Sequence, residues 1–218
     1  FAPVVTPEAA NLLGVLGALA VLWGSWQALC AERLKLLAAY STVAQIGYLF
    51  LFVPILTGLP DGPVRDAVFG GAVVMALTHG LAKSALFLAA GVVQQRAGHD
   101  RIRDLDGTAQ TLPATTFAIA LAGVALVGLP PSGAFLGKWQ LIAGSLSAGQ
   151  WAWVPVVLAG SLLAGAYVFR VLGHAFGQGR YPARVLTLGR EEVPALVLGA
   201  LATVGLGLVA GPIWPLLG

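Results

Sequence analysis

The sequence predicts an all-α polytopic membrane protein. Three observations carry that reading. Hydrophobic residues fill 58% of the 218 positions and charged residues only 10%, against about 45–50% and about 25% in a soluble domain. The apolar residues fall in stretches of bilayer-crossing length, about 20 residues each. All nine acidic residues lie outside the middle of those stretches. A mean hydropathy of +0.86 also excludes disorder, which needs low hydrophobicity and high charge.

Each span is justified in turn. Residues 9–30, 36–57, 67–93 and 151–172 are long apolar runs. A fifth, 193–215, carries Pro194 in its first turn, where the missing N–H costs nothing. The run 113–148 is interrupted at Gly128-Leu129-Pro130-Pro131-Ser132-Gly133. Two prolines in succession stop a regular helix, so half-helices over 113–129 and 134–148 are expected. Irregular backbone at that depth survives only inside protein or beside a watery cavity. Its 36 residues would extend roughly 54 Å as helix, long for one crossing and short for two.

Charge decides between them. With one broken crossing, segments 31–35, 94–112 and 173–192 share a side and carry Arg33, Lys35, Arg96, Arg101, Arg103, Arg180, Arg184 and Arg190. The other side has Arg65. The positive-inside rule therefore predicts six transmembrane spans, one of them a broken helix, with the basic loops cytoplasmic and both termini outside. The net charge of +3 reports orientation rather than nucleic-acid binding, since no face collects the basic residues. The opening FAPVVTPEAA has no basic n-region, so no signal peptide is expected. One cysteine, Cys30, excludes a disulfide framework and a Cys-rich metal site. One central histidine does not make a haem site, so neither metal nor cofactor is expected.

An ion near the bilayer centre costs about 2.5–3.5 kcal/mol on insertion scales, so each one is a candidate for function. His79 and Lys83 flank the middle of span 67–93 and share a helical face, with Thr78 and Ser84 nearby. Out of water the ammonium is disfavoured relative to the amine, and imidazole titrates near neutrality. The pair suits proton transfer; the plain alternative is a structural lysine paired with a carboxylate from elsewhere. Lys138 follows the helix break by five residues, in the setting where broken transporter helices hold ions. Ser41, Gln45 and Tyr48 form a polar stripe on span 36–57, fit for lining a water file or for gluing helices together. By position Lys35 is an interfacial anchor, Arg170 and His174 meet lipid headgroups, and most of the tryptophans sit near span ends.

The segments LKLLAAYSTVAQIGYLFL (34–51), ALTHGLAKSALFLAAG (76–91) and GLPPSGAFLGKW (128–139) resemble the antiporter-like subunits. These are the large proton-translocating membrane subunits of respiratory complex I and their relatives in Mrp-type cation/proton antiporters and membrane-bound hydrogenases. RIRDLDG (101–107) is similar to the loop after that family's lysine helix. The resemblance covers most of 9–175.

The resemblance implies a fold of about fourteen helices with two inverted five-helix repeats. This chain would supply the second repeat plus a final helix, dividing into residues 1–175, a half-channel, and 176–218, a loop and the last span. It implies that Lys83 is the channel lysine, His79 its helix-mate, Lys138 the ionisable residue of the broken helix and Lys35 a further proton-site lysine. It implies proton translocation in a complex I-type NADH–quinone oxidoreductase, with no chemistry of its own. Partners would be other membrane subunits and lipid, and the location the bacterial cytoplasmic membrane. An Mrp-type subunit exchanging Na⁺ for H⁺ and a non-conducting structural subunit are the alternatives. The family's glutamate–lysine pair belongs to its first repeat, which this sequence lacks, so a longer subunit is expected.

Overall fold

The computed structural model describes residues 5–178 and 189–208. Helices α1 (Pro7–Cys30), α2 (Leu34–Gly58), α3 (Pro63–Ala97) and α7 (Trp153–Ala175) are long and apolar enough to cross a membrane. Between α3 and α7 lie the short α4 (Thr108–Thr111), then α5 (Pro113–Val127) and α6 (Gly133–Ser147). Last comes α8 (Val193–Ala200), running into a π-helical turn over Leu201–Gly205. No strand occurs among the described residues. The expected last span, 193–215, is described only to residue 208, and Arg180, Arg184 and Trp214 lie outside the described residues.

Local signals set the helix ends. Thr6 caps α1, its hydroxyl accepting from the Ala9 N–H at 3.3 Å, and Pro7 takes the first helical position, where no N–H is needed. Pro63 and Pro113 open α3 and α5 in the same way. The interrupted run breaks where the prolines require it, α5 ending at Val127 and α6 beginning at Gly133. Ser132 caps α6 by accepting from the Phe135 N–H at 3.2 Å. The Thr203 hydroxyl ties the π turn to α5 by donating to the Leu121 carbonyl at 2.7 Å.

The basic connections gather at one end of the bundle. The Leu34 N–H donates to the Asp100 carbonyl at 2.8 Å, and the Ile102 N–H to the Glu32 carbonyl at 2.9 Å. Gly107 donates to the Gly177 carbonyl at 3.0 Å. Arg96 pairs with Glu191. Buried Glu192 accepts from the Thr115 N–H and hydroxyl at 3.2 and 2.5 Å, meeting the free donors at the start of α5. Arg170 and His174 belong to this end too. Arg170 donates to the Ala31 carbonyl and His174 Nδ1 is 3.7 Å from Asp106. The lipid-headgroup expectation for them is corrected: a folded-back loop supplies acceptors that a linear sequence does not display. At the far end, Gln150 Nε2 donates to the Pro54 carbonyl at 2.8 Å. So α5 starts among the basic loops, and the residues just after α6 meet the other end of α2.

Two apolar cores stack along the bundle. One holds Leu34, Leu37, Ala38, Leu86, Ile102, Leu126 and Val171. The other holds Leu51, Phe52, Ile55, Val68, Leu141 and Val157. On α2 the first core stops at Ala38 and the second starts at Tyr48. Ser41 and Gln45 occupy the interval.

Candidate functional site

That interval is a polar layer at mid-bundle. Lys83 is buried on α3, and its Nζ crosses to α2, where it donates to the Ala38 carbonyl at 2.7 Å and to the Ser41 hydroxyl. Ser41 in turn donates to the Ala38 carbonyl at 3.1 Å, and Thr42 does so at 3.0 Å. Lys83 therefore shares a carbonyl that already has other donors, inside an intact helix.

The seat of Lys138 is built differently. Its Nζ, on α6, donates to the Val127 carbonyl at 2.9 Å and to the Ser161 hydroxyl of α7 at 3.0 Å. It also lies 4.5 Å from the ring centroid of Tyr48, within the range of a cation–π contact. Val127 ends α5, so its carbonyl has no intrahelical partner, and the negative end of the helix dipole points at the ammonium. Gln45 Nε2 donates to the adjacent Leu126 carbonyl at 2.8 Å. The break thus exposes two carbonyls, and two side chains meet them. Gly128 lets this happen. Its φ is +80°, and a Cβ there would sit 2.9 Å from Lys138 Cδ.

The other sequence candidates divide into those at this layer and those away from it. Thr78 touches the break, since a Cβ on Gly133 would lie 2.3 Å from its Oγ1; its hydroxyl donates back to Val74 at 2.8 Å. Tyr48 is buried and its hydroxyl donates to the Val157 carbonyl at 3.4 Å. His79 is half-buried one turn before Lys83, its Nδ1 without a hydrogen-bond partner among the described residues. Ser84 lies on the exposed face of α3 and bonds back to the Gly80 carbonyl at 2.9 Å. Lys35 is at the basic end, where its Nζ donates to Gln94 and its N–H to Asp100 Oδ2 at 3.4 Å. Pro130 and Pro131 form the turn itself.

Sequence reasoning missed two α7 side chains, Ser161 and Tyr167. Ser161 is a ligand of Lys138, and Tyr167 is fully buried. The available signal was the small-and-tyrosine stripe Val157, Gly160, Ala164, Tyr167 at helical spacing. No group of three or more His, Cys, Asp or Glu side chains suited to a metal occurs among the described residues.

Residues 1–164 match the family model described as NADH:quinone oxidoreductase/Mrp antiporter, TM. NADH-quinone oxidoreductase subunit N of Desulforudis audaxviator is 36% identical over 208 residues, 91% of this chain and 40% of that protein. The chain therefore spans well under half the length of that relative. A chain of respiratory complex I from Thermus thermophilus superposes with a TM-score of 0.75 at 27% identity, over 97% of this chain and 45% of that one. A chain of the Mrp complex from Dietzia sp. shares the fold with a TM-score of 0.82 at 23% identity, over 97% and 46%.

Proposed function

The chain belongs to the transmembrane family shared by NADH:quinone oxidoreductases and Mrp antiporters, and from that premise we propose that it carries protons across the membrane as an antiporter-like subunit of a complex I-type NADH–quinone oxidoreductase or a relative. One observation carries the proposal. Two lysines are buried at mid-bundle, and every group that holds them is neutral. A permanent charge at that depth costs about 2.5–3.5 kcal/mol each. Lysines whose role is to take up and release protons explain why that expense is kept.

In this reading Lys83 holds the proton, passes it towards Lys138, and Lys138 delivers it to one side. His79 and ordered water serve the transfer, with Thr78, Ser41, Gln45 and Tyr48 along the way. A positive charge arriving beside Lys83 from a neighbouring subunit expels its proton, because like charges disfavour the ammonium. The break at Pro130, Pro131, Ser132 and Gly133 supplies the carbonyl that receives Lys138. Lys35, at the basic end, is a further proton-site lysine, and Ser84 is a channel-lining hydroxyl.

The same reading gives six crossings, with residues 1–175 as the second of two inverted repeats and 176–218 as a loop and final span. The clustering of basic loops at one end supports it, as does the course of α5 and α6 from that end to the other. The chain works beside other membrane subunits in the bacterial cytoplasmic membrane, and electron transfer belongs to those partners.

The test uses the full-length subunit in its intact assembly, reconstituted in vesicles. Lys83→Ala abolishes proton translocation while the assembly still forms. Lys83→Arg is also impaired, because a guanidinium does not give up its proton. Wild-type translocation by both variants would leave Lys83 structural.

A further inference from the structure

Helices α2 and α7 run antiparallel, and their contacts fix a register. Arg170 of α7 reaches Ala31, just before α2. Midway, the Tyr48 hydroxyl meets the Val157 carbonyl at 3.4 Å. It packs so closely that a Cβ on Gly160 would lie 2.3 Å from it. In an antiparallel pair, a step towards the start of one helix matches a step towards the end of the other. Moving seven residues from Tyr48 reaches Ser41, and seven from Gly160 reaches Tyr167. The register therefore sets Tyr167 opposite Ser41, on the α2 face that also carries Tyr48.

Ser41 is the residue that receives Lys83, and Tyr48 and Ser161 are the residues around Lys138. Tyr167 lies, by that register, level with the first group, with the second about two turns further along the same seam. It is 0% exposed, and its hydroxyl has no hydrogen-bond partner of good geometry among the described residues. A buried hydroxyl without a partner is destabilising, so packing alone does not account for it; phenylalanine would fill the same space. From Ser41 to Tyr48 the rise along α2 is about 10.5 Å, too far for direct transfer and short enough for a hydroxyl and one or two waters.

We propose that the Tyr167 hydroxyl, together with water held against Ser41 and Tyr48, relays protons between Lys83 and Lys138 along the seam of α2 and α7. The proposal rests on the proton-carrying reading of the two lysines. The transfer balances without another reactant. The Lys83 ammonium loses one proton and becomes an amine. Each hydroxyl or water on the path accepts a proton on an oxygen lone pair and releases its own to the next. The Lys138 amine gains the last and becomes an ammonium. No charge remains on Tyr167, which resets by rotation of its O–H.

The experiment compares Tyr167→Phe, Tyr48→Phe and their double variant with Lys83→Ala, all in the full-length subunit within its intact assembly in vesicles. Tyr40→Phe, on a half-buried tyrosine of α2 outside the seam, is the control and translocates as wild type. Tyr167→Phe is expected to lower proton translocation by about tenfold or more, the scale of losing a positioned proton-transfer group, without lowering the melting temperature. Because the two tyrosines act in series, the double variant loses no more than the weaker single variant. If Tyr167→Phe translocates normally while Lys83→Ala does not, the relay is refuted and the lysine reading stands. If Lys83→Ala also translocates normally, both fall. If the loss in Tyr167→Phe follows a lower melting temperature or failed assembly, and Tyr48→Phe translocates as wild type, Tyr167 is structural and the relay is refuted.

Discussion

At the basic end of the bundle, two arginines meet carboxylates: Arg96 meets Glu191, and Arg101 is 3.9 Å from Asp104. At mid-bundle, cations meet only neutral groups: the Ala38 and Val127 carbonyls, the Ser41 and Ser161 hydroxyls, and the Tyr48 ring. The contrast is chemical. A carboxylate stabilises an ammonium so strongly that the proton stays. A carbonyl or hydroxyl satisfies the ammonium's hydrogens yet tolerates the amine, since a hydroxyl can turn and donate instead. The arginine–carboxylate pairs are built to keep their charges, and the middle is built to let them go.

The sharpest way to break that contrast is to import a carboxylate into the middle. Ser41→Asp puts one beside Lys83 and neutralises the ammonium in place. The expected result is loss of proton translocation as complete as in Lys83→Ala, although the lysine is still present. Vesicle assays on both variants, with assembly checked separately, measure it. Translocation at wild-type rate in Ser41→Asp would mean that neutral partners are not what frees the proton.

A smaller effect is expected from the glycine that shapes the second seat. Gly128→Ala forces a Cβ into a left-handed conformation, costing about 1–2 kcal/mol, and presses it onto Lys138 at 2.9 Å. Unfolding free energy should fall by that amount, and translocation should fall because Nζ leaves the Val127 carbonyl. Gly91, half-buried on α3, has no atom within 4 Å of a Cβ, so Gly91→Ala should show neither effect. Equal behaviour of the two would remove the special status of the break.

How much of this was legible from the chain alone follows the same division. Four of the spans, the break and the two interior lysines were readable, because hydropathy, double proline and a charge in an apolar run are local signals. The bounds held closely: the half-helices expected at 113–129 and 134–148 are α5 and α6. The partners were not readable. Lys83 reaches Ala38 and Ser41 across 45 and 42 residues of sequence, and no local pattern says which face of α2 turns to α3. Ser161 and Tyr167 were overlooked because a serine and a tyrosine in a long apolar helix read as ordinary packing until α7 is laid against α2. Arg170 and His174 were assigned to lipid for the same reason.

The mildest expected effect is at the basic end, and it checks the contrast from the other side. Glu191 follows the segment outside the described residues and joins the start of α8 to the end of α3 through Arg96. Its own backbone N–H and then the Arg96 guanidinium hold its carboxyl below the usual carboxylate range. A carboxyl lowered by folding stabilises the fold above its unfolded pKa, about 4.3 for glutamate. That contribution disappears as pH falls through the folded value. Both partners are largely exposed, with side chains 50% and 40% accessible, so solvent screens the pair and its contribution is small. Glu191→Gln should therefore lower the melting temperature only slightly at neutral pH. The gap between wild type and variant should close below about pH 4 and shrink in about 1 M salt, where screening acts within about 3 Å. Proton translocation at neutral pH should be unchanged, because this charge is kept and not passed on. A gap that persists in acid and in salt would show that Glu191 acts through packing, and a loss of translocation would show that the Arg96–Glu191 pair takes part in moving the proton.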